Sequence, residues 1–227
     1  MKIAALLPMR HDSERIKGKN YRPFVGKPLY HHILMSLLEC PLINEIVIDT
    51  DSPTIIKDAK INFPEIRIIN RPKHLRDGNI SMNTILLHDI NQVDADWYLQ
   101  THCTNPLLKA DTITNSIKAL LNSLPHYDSL FSVTKVQSRF WYADNKPLNH
   151  DPSVLMRTQD LPPIFEENSN IFIFNKKTLT ERNNRIGFNP LMFEIPRLEA
   201  VDIDEELDFL VAESLYRHLH ALHIEGD

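Results

Sequence analysis

Two cysteines in 227 residues, Cys40 and Cys103, are too few and too far apart for a disulfide framework or a zinc site. They leave the expectation of two reduced thiols in a cytoplasmic protein. An excess of positive charge is also missing: 25 Lys and Arg against 30 Asp and Glu give a formal charge of −5. Non-specific nucleic-acid binding needs a basic face and is excluded as a class, so any anionic ligand must be recruited by a local basic cluster. No apolar run approaches the roughly 20 residues of a membrane span. The start, Met1 to Met9, runs straight into Arg10, His11, Asp12 and Glu14, which fits a buried first strand rather than a secretory signal. Internal repeats, low-complexity tracts and flexible linkers are absent too. The chain reads as one α/β domain spanning 1–227.

What is present alternates. The run Ile3 to Pro8 predicts a parallel strand covered on both faces. A polar loop, Met9 to Lys27, follows, then a helix over Pro28 to Cys40 with Pro41 just past its end. Strands are expected at Glu45–Thr50, Ile66–Ile69, Trp97–Gln100 and Ser129–Val133. Helices are expected after Ser52-Pro53, over Ser81–Asn91 and over Asp111–Ser123. Such alternation predicts a right-handed, mostly parallel sheet. Gln137 to Asn168, with Phe140, Trp141, Tyr142 and four prolines, reads as an excursion from that sheet. Asn170–Phe174 and Leu198–Val201 are expected as further strands. Glu205–His220 is expected as a closing helix with Leu207, Leu210, Val211, Leu215 and Leu219 on its apolar side.

Two constellations carry chemistry. The loop after the first strand holds Arg10, Arg15, Lys17 and Lys19, the densest basic cluster in an acidic chain. Ligands of open α/β sheets bind at the carboxyl ends of strands, and phosphates want cationic groups and exposed N–H donors. A solvated charged loop is the plain alternative. The second constellation is Asp202-Ile203-Asp204, where carboxylates two residues apart in extended chain share a face and suit one Mg²⁺. The plain alternative is an acidic first turn capping the last helix.

Taken together, Leu7-Pro8-x-Arg10, Ser13, Lys19-Asn20, Gly26-Lys27-Pro28-Leu29, Thr50-Asp51-Ser52, Thr104-Asn105-Pro106 and Asp202-Ile203-Asp204 resemble the acylneuraminate cytidylyltransferases. The resemblance runs from Ile3 to Glu213. It implies a Rossmann-like α/β fold with helices on both faces, and a homodimer in which the protruding segment 137–168 caps the partner's site. It implies transfer of CMP from CTP to the anomeric hydroxyl of an acidic sugar, with Mg²⁺ as cofactor. Arg10 and Lys19 match its phosphate-binding positions, and Asp202 and Asp204 its metal-holding ones. Ser13, Asn20, Arg71 and Ser81 match positions that contact the nucleotide. For the sugar, His102 falls at the place of a sugar-contacting Gln, with Gln100 two residues earlier. Asn168 matches an Asn before a Gly-Ala pair. Arg157 and Gln159 are further candidates, Arg157 as a fork for the sugar's carboxylate or as half of a structural ion pair.

This sequence departs from the resemblance at three places. His11-Asp12 stand where many members have two glycines, Ser169-Asn170 replace the Gly-Ala pair, and Glu166 and Glu167 lie where some members are basic. The same fold acting on an octulosonic acid or a phosphonate, or a nucleotide-binding protein without turnover, are the alternative functions. His218, His220 and His223 fit no fixed metal spacing. His31 and His32 are adjacent on a helix and point apart. Phe140-Trp141-Tyr142 reads as a dimer-contact patch.

Overall fold

The computed structural model describes residues 1–224, without the side chains of 220 and 222–224, so the readings of His220 and His223 lie outside the described residues. In chain order the elements are β1 (Ile3–Met9), β2 (Pro23–Phe24), β3 (Lys27–Pro28), α1 (Leu29–Leu38), β4 (Glu45–Thr50), α2 (Pro53–Asn62) and β5 (Arg67–Asn70). They continue with α3 (Met82–Ile90), β6 (Trp97–Gln100), α4 (Ala110–Asn122), β7 (Ser129–Val136), β8 (Ile164–Phe174), α5 (Lys176–Arg182), β9 (Pro190–Glu194) and α6 (Glu206–Ile224). Seven strands form one sheet in the order β5-β4-β1-β6-β8-β7-β9, and β8 runs antiparallel to both its neighbours while the other pairings are parallel.

Every residue of β1 is buried, and its alternation shows why the run is apolar on both faces. Ile3, Ala5, Leu7 and Met9 join a core with α1, α2 and α4, while Ala4 and Leu6 join a second core with α3 and α5. Full burial of such a side chain is worth roughly 1.5–3 kcal/mol, which makes β1 the centre of both layers. From β1 the chain winds outward through β4 to β5, then returns to the other side of β1 at β6. That reversal opens a crevice at the carboxyl ends of β1 and β6, where ligands of such sheets bind.

Several expectations change. Leu198–Val201 is a turn followed by extended loop, not a strand, because Glu199 and Ala200 donate their N–H groups back to Pro196 O. The additional strand is instead β9, parallel to β7, and α5 was not anticipated. Among the described residues of α6 the buried ones are Phe209 and Ala212, packed on Ile16, Phe24 and Leu29, while Leu207, Leu210 and Val211 are exposed. The helix is therefore turned from the expected face: the loop after β1 offers Phe24 an edge-on ring contact with Phe209 and sets Arg22 over that ring at 4.2 Å. The excursion is shorter than expected, since β7 and β8 extend into it. Between them, 137–163 carries one bridge, Trp141 to Pro147, and one turn of 3-10 helix at 158–160.

Candidate active site

A cleft of about 470 Å³ sits at that crevice, lined by Arg10, Arg15 and Lys19 of the basic cluster and by Asp202 and Asp204, while Lys17 is exposed outside it. The loop after β1 bends sharply at Gly18, whose φ of +65° and contact with the Tyr21 ring leave no room for a side chain. The turn delivers Lys19 and Asn20, both buried. Asn20 Nδ2 donates to Arg10 O at 2.8 Å, and Cys103 Sγ donates to Asn20 Oδ1 at 3.0 Å, so the two ends of the loop are tied across the cleft floor. Burial pushes the Cys103 thiol up to about 12, which leaves it a structural donor rather than a nucleophile. Where the resemblance has glycine, His11 is fixed by side chain and backbone: Nδ1 bonds Ser52 Oγ at 2.8 Å, the ring stacks on Tyr21, and the backbone N–H donates to Asp51 Oδ1 at 2.8 Å. The Thr50-Asp51-Ser52 motif thus anchors the basic loop.

The opposite wall is the segment before α6. Ile203 donates to Thr104 O at 2.9 Å, and buried Asn105 donates to Val201 O and Asn170 Oδ1. The Thr104-Asn105-Pro106 motif is therefore a clamp that holds the aspartate segment beside β6. Lys19 Nζ donates to Ile203 O at 2.5 Å and lies 3.5 Å from Asp204, which also pairs with Arg15 at 2.6 Å. The capping role falls to another residue: Asp208 Oδ2 accepts from the N–H groups of Asp204 and Glu205. Asp202 lines the cleft with its Oδ1 buried and without a hydrogen-bond partner, and burial, with the charge of Asp204, raises its pKa above the usual carboxylate range. An orphaned carboxylate oxygen beside a second carboxylate is a donor set that fits Mg²⁺, which takes one or two carboxylates and completes its shell with phosphates and water. Among the described residues no group of three or more metal-ligating side chains occurs.

The remaining candidates are placed as follows. Arg10, Ser13 and His102 line the cleft. Burial and the charges of Arg185 and Lys19 push the His102 pKa down to about 3, so its ring is neutral at pH 7. Gln100 Nε2 donates to His102 Nε2 at 3.0 Å, which places the ring proton on Nδ1. Gln100 itself is buried behind the wall. Asn168 shapes β8: the register jumps from Phe131 opposite Phe172 to Val133 opposite Glu167, and Asn168 bonds Ser132 and Thr134 inside that bulge. Ser169 there has φ of +58°, the left-handed conformation that suits the glycine of the resemblance. Glu166 and Glu167 border a neighbouring hollow that shares Ser169 and Asp202 with the cleft. Ser81 caps α3 through Thr84 N and lies outside the cleft lining. Arg157 and Gln159 lie in segment 137–163, away from the cleft of their own chain, and Arg157 pairs with Asp160 at 2.7 Å. Arg185, which no motif marked, lines the cleft from the turn after α5.

Arg71 is 1% exposed and rests on Asp49 through Nε at 3.0 Å. Behind them lies Asp89 on α3, whose pKa is pushed up to about 9 by burial and by the charge of Asp49. Its proton supplies the donor that Asp49 Oδ2 otherwise lacks. Between about pH 4 and 9 the folded chain binds more protons at Asp89 than the unfolded chain, so this group costs stability as pH rises through that window. Asp89→Asn keeps the donor and removes the titration. Its melting temperature is expected to match wild type near pH 5 and exceed it by a few degrees at pH 8. Parallel melting curves for both proteins from pH 5 to 9 would disprove the shared proton.

A family model described as Cytidylyltransferase matches residues 4–217. N-acylneuraminate cytidylyltransferase A of Danio rerio is 27% identical over 218 residues, 93% of this chain and 50% of that protein, so the chain spans about half the length of that relative. Pseudaminic acid cytidylyltransferase of Campylobacter jejuni is 24% identical over 97% of this chain and 98% of its own. CMP-N,N'-diacetyllegionaminic acid synthase of Legionella pneumophila is 27% identical over 95% and 96%. In fold, the chain is similar to a CMP:2-keto-3-deoxy-manno-octonic acid synthetase complexed with CTP, with a TM-score of 0.71 at 15% identity over 96% of this chain and 99% of that one.

Proposed function

The chain belongs to the cytidylyltransferase family, and from that premise we propose that it transfers CMP from CTP to the anomeric hydroxyl of an acidic, sialic-acid-like nonulosonic sugar. The observation that carries this reading is the convergence of Arg10, Arg15 and Lys19 with Asp202 and Asp204 in one cleft at the carboxyl ends of β1 and β6. The sugar hydroxyl attacks the α-phosphorus and gives up its proton to solvent, the bond to the bridging oxygen of the β-phosphate breaks, and pyrophosphate leaves. Arg10 and Lys19 meet the charge that grows on the leaving group, and Lys19, held by its buried contact with Ile203 O, is preorganised for it. Asp202 and Asp204 would hold Mg²⁺, which supplies neutralisation of phosphate charge. The neutral His102 presents Nδ1–H to the acceptor.

The test is pyrophosphate release with CTP, Mg²⁺ and a panel of acidic nonulosonic and octulosonic sugars, beside a thermal-shift series of the four nucleoside triphosphates. Turnover with a nonulosonic acid and the largest shift with CTP are expected, since a ligand bound only by the folded state stabilises it. Preference for an octulosonic acid would move the acceptor class. An equal or larger shift with GTP, or no pyrophosphate with any acid, would overturn the reading.

Segment 137–163 exposes Trp141, Tyr142, Leu148, Val154, Leu155 and Met156, an apolar concentration that supports a homodimer in which this segment covers a second copy. Arg157 and Gln159 lie in this segment. Light scattering at micromolar concentration is expected to give twice the chain mass of 26.4 kDa; a monomer would end the case for a shared site.

A further inference from the structure

The cations of the cleft are matched by carboxylates, with one exception. Arg10 lies 3.8 Å from Glu14, Arg15 lies 2.6 Å from Asp204, Lys19 lies 3.5 Å from Asp204, and Arg71 lies 3.0 Å from Asp49. Arg185 forms no ion pair among the described residues, and Glu167, the acid that acts on it, stays beyond pairing distance. Yet its position is well built. The αL turn at Asn183 ends α5 and sends the chain back, Asn83 on α3 accepts the Arg185 N–H at 3.2 Å, and the guanidinium carbon lies over the Phe172 ring at 3.5 Å from its centroid. One terminal nitrogen donates to Gln100 Oε1. That bond fixes the Gln100 amide, whose Nε2 then donates to His102.

A half-buried guanidinium backed by an aromatic face has lost part of its water without gaining a counter-charge. Such a group calls for an anion from outside. Its free edge is planar and suits a planar, bidentate anion better than a single point charge. It also stands next to His102 and comes from the turn after α5, not from the β1 loop that carries Arg10, Arg15 and Lys19.

We infer that Arg185, seated on the Phe172 ring, is the residue that recognises the acceptor's carboxylate while the neighbouring hydroxyl turns toward the nucleotide. This rests on the acidic-sugar reading above and deepens it: Arg185 selects acids over neutral sugars, and the triphosphate is held by the other cations.

Steady-state kinetics decide this with wild type, Arg185→Gln and Arg185→Lys, each given the active sugar acid and its carboxamide. Arg185→Gln is expected to raise KM for the acid on the order of 10²-fold and leave KM for CTP within about twofold, as loss of one partner of a desolvated charge pair does. Wild type is expected to prefer the acid over the carboxamide strongly, and Arg185→Gln to lose that preference. Arg185→Lys keeps the charge without the fork and is expected to fall between. A purely structural role would weaken acid and carboxamide alike and preserve their ratio, which overturns the assignment. A rise in KM for CTP with the acid's KM unchanged also overturns it, in favour of a triphosphate contact. No turnover by wild type with any acid overturns the functional reading itself; turnover with the ratio intact in Arg185→Gln overturns this inference alone.

Discussion

Asp202→Asn is expected to lower kcat on the order of 10²–10³-fold while leaving the melting temperature unchanged or higher. The two halves of that expectation come from the same atom. Asp202 Oδ1 is buried and has no partner in the folded chain, and burial already disfavours its charge. Replacing the carboxylate with an amide of the same shape relieves that cost, because burial and the charge of Asp204 outweigh the support from Thr104 and Lys19 and keep the charged form disfavoured. If the orphaned oxygen exists to hold Mg²⁺ against the phosphates, the relief comes with loss of a hard anionic ligand. The measurement is kcat against Mg²⁺ concentration for both proteins, with melting curves alongside. Equal kcat at every Mg²⁺ level would show that Asp202 holds nothing that turnover needs. Asp204→Asn is a useful companion: with capping supplied by Asp208, its loss acts on Arg15 and Lys19 and not on the helix start.

Lys19→Met is expected to lose both activity and stability. The ammonium is buried, and it donates to Ile203 O between the two aspartates while facing Asp204. Methionine fills similar volume but leaves the Ile203 carbonyl without its donor, at a cost of about 1–3 kcal/mol. The aspartate segment then loses its tie to the basic loop, and the leaving pyrophosphate loses a cation. The expected fall in kcat is on the order of 10³-fold. Because both substitutions disable one unit, the double variant Lys19→Met with Asp202→Asn is expected to be little slower than Lys19→Met alone. Full multiplication of the two losses would show that the lysine and the aspartate act independently.

The sequence read well where local pattern and tertiary environment agree. The continuous apolar run of β1 demands burial on both faces, and the basic loop and the Asp-Ile-Asp stretch fall at the cleft because strand ends meet there. It read poorly where a distant partner decides. The apolar stripe Leu207, Leu210, Val211 follows helical spacing, but Phe24 and Ile16, nearly two hundred residues earlier, select Phe209 and Ala212 instead. Thr104-Asn105-Pro106 was visible as a motif, yet its work as a clamp on 201–203 needs the fold. Arg185 gave no signal at all: its neighbours are Asn183, Asn184 and Ile186, and only the return of the chain after α5 brings it above Phe172. Ser169 is the reverse case. A side chain replaced the expected glycine and the backbone kept the glycine's conformation, held by the Ser132 and Asn168 contacts of the bulge.

The single reversed strand, β8, has a bearing on how this chain can diversify. Because β8 runs against its neighbours, the crossing from Val136 to Ile164 begins and ends at the same rim of the sheet as the carboxyl ends of β1 and β6. A parallel β8 would need its connection to cross to the opposite rim of the sheet. As built, the crossing is a hairpin loop, free to lengthen, shorten or change its lettering while both its roots stay paired. A change of length within 137–163 therefore leaves both layers of the sheet in place, whereas the same change anywhere along β1 would pull apart both at once.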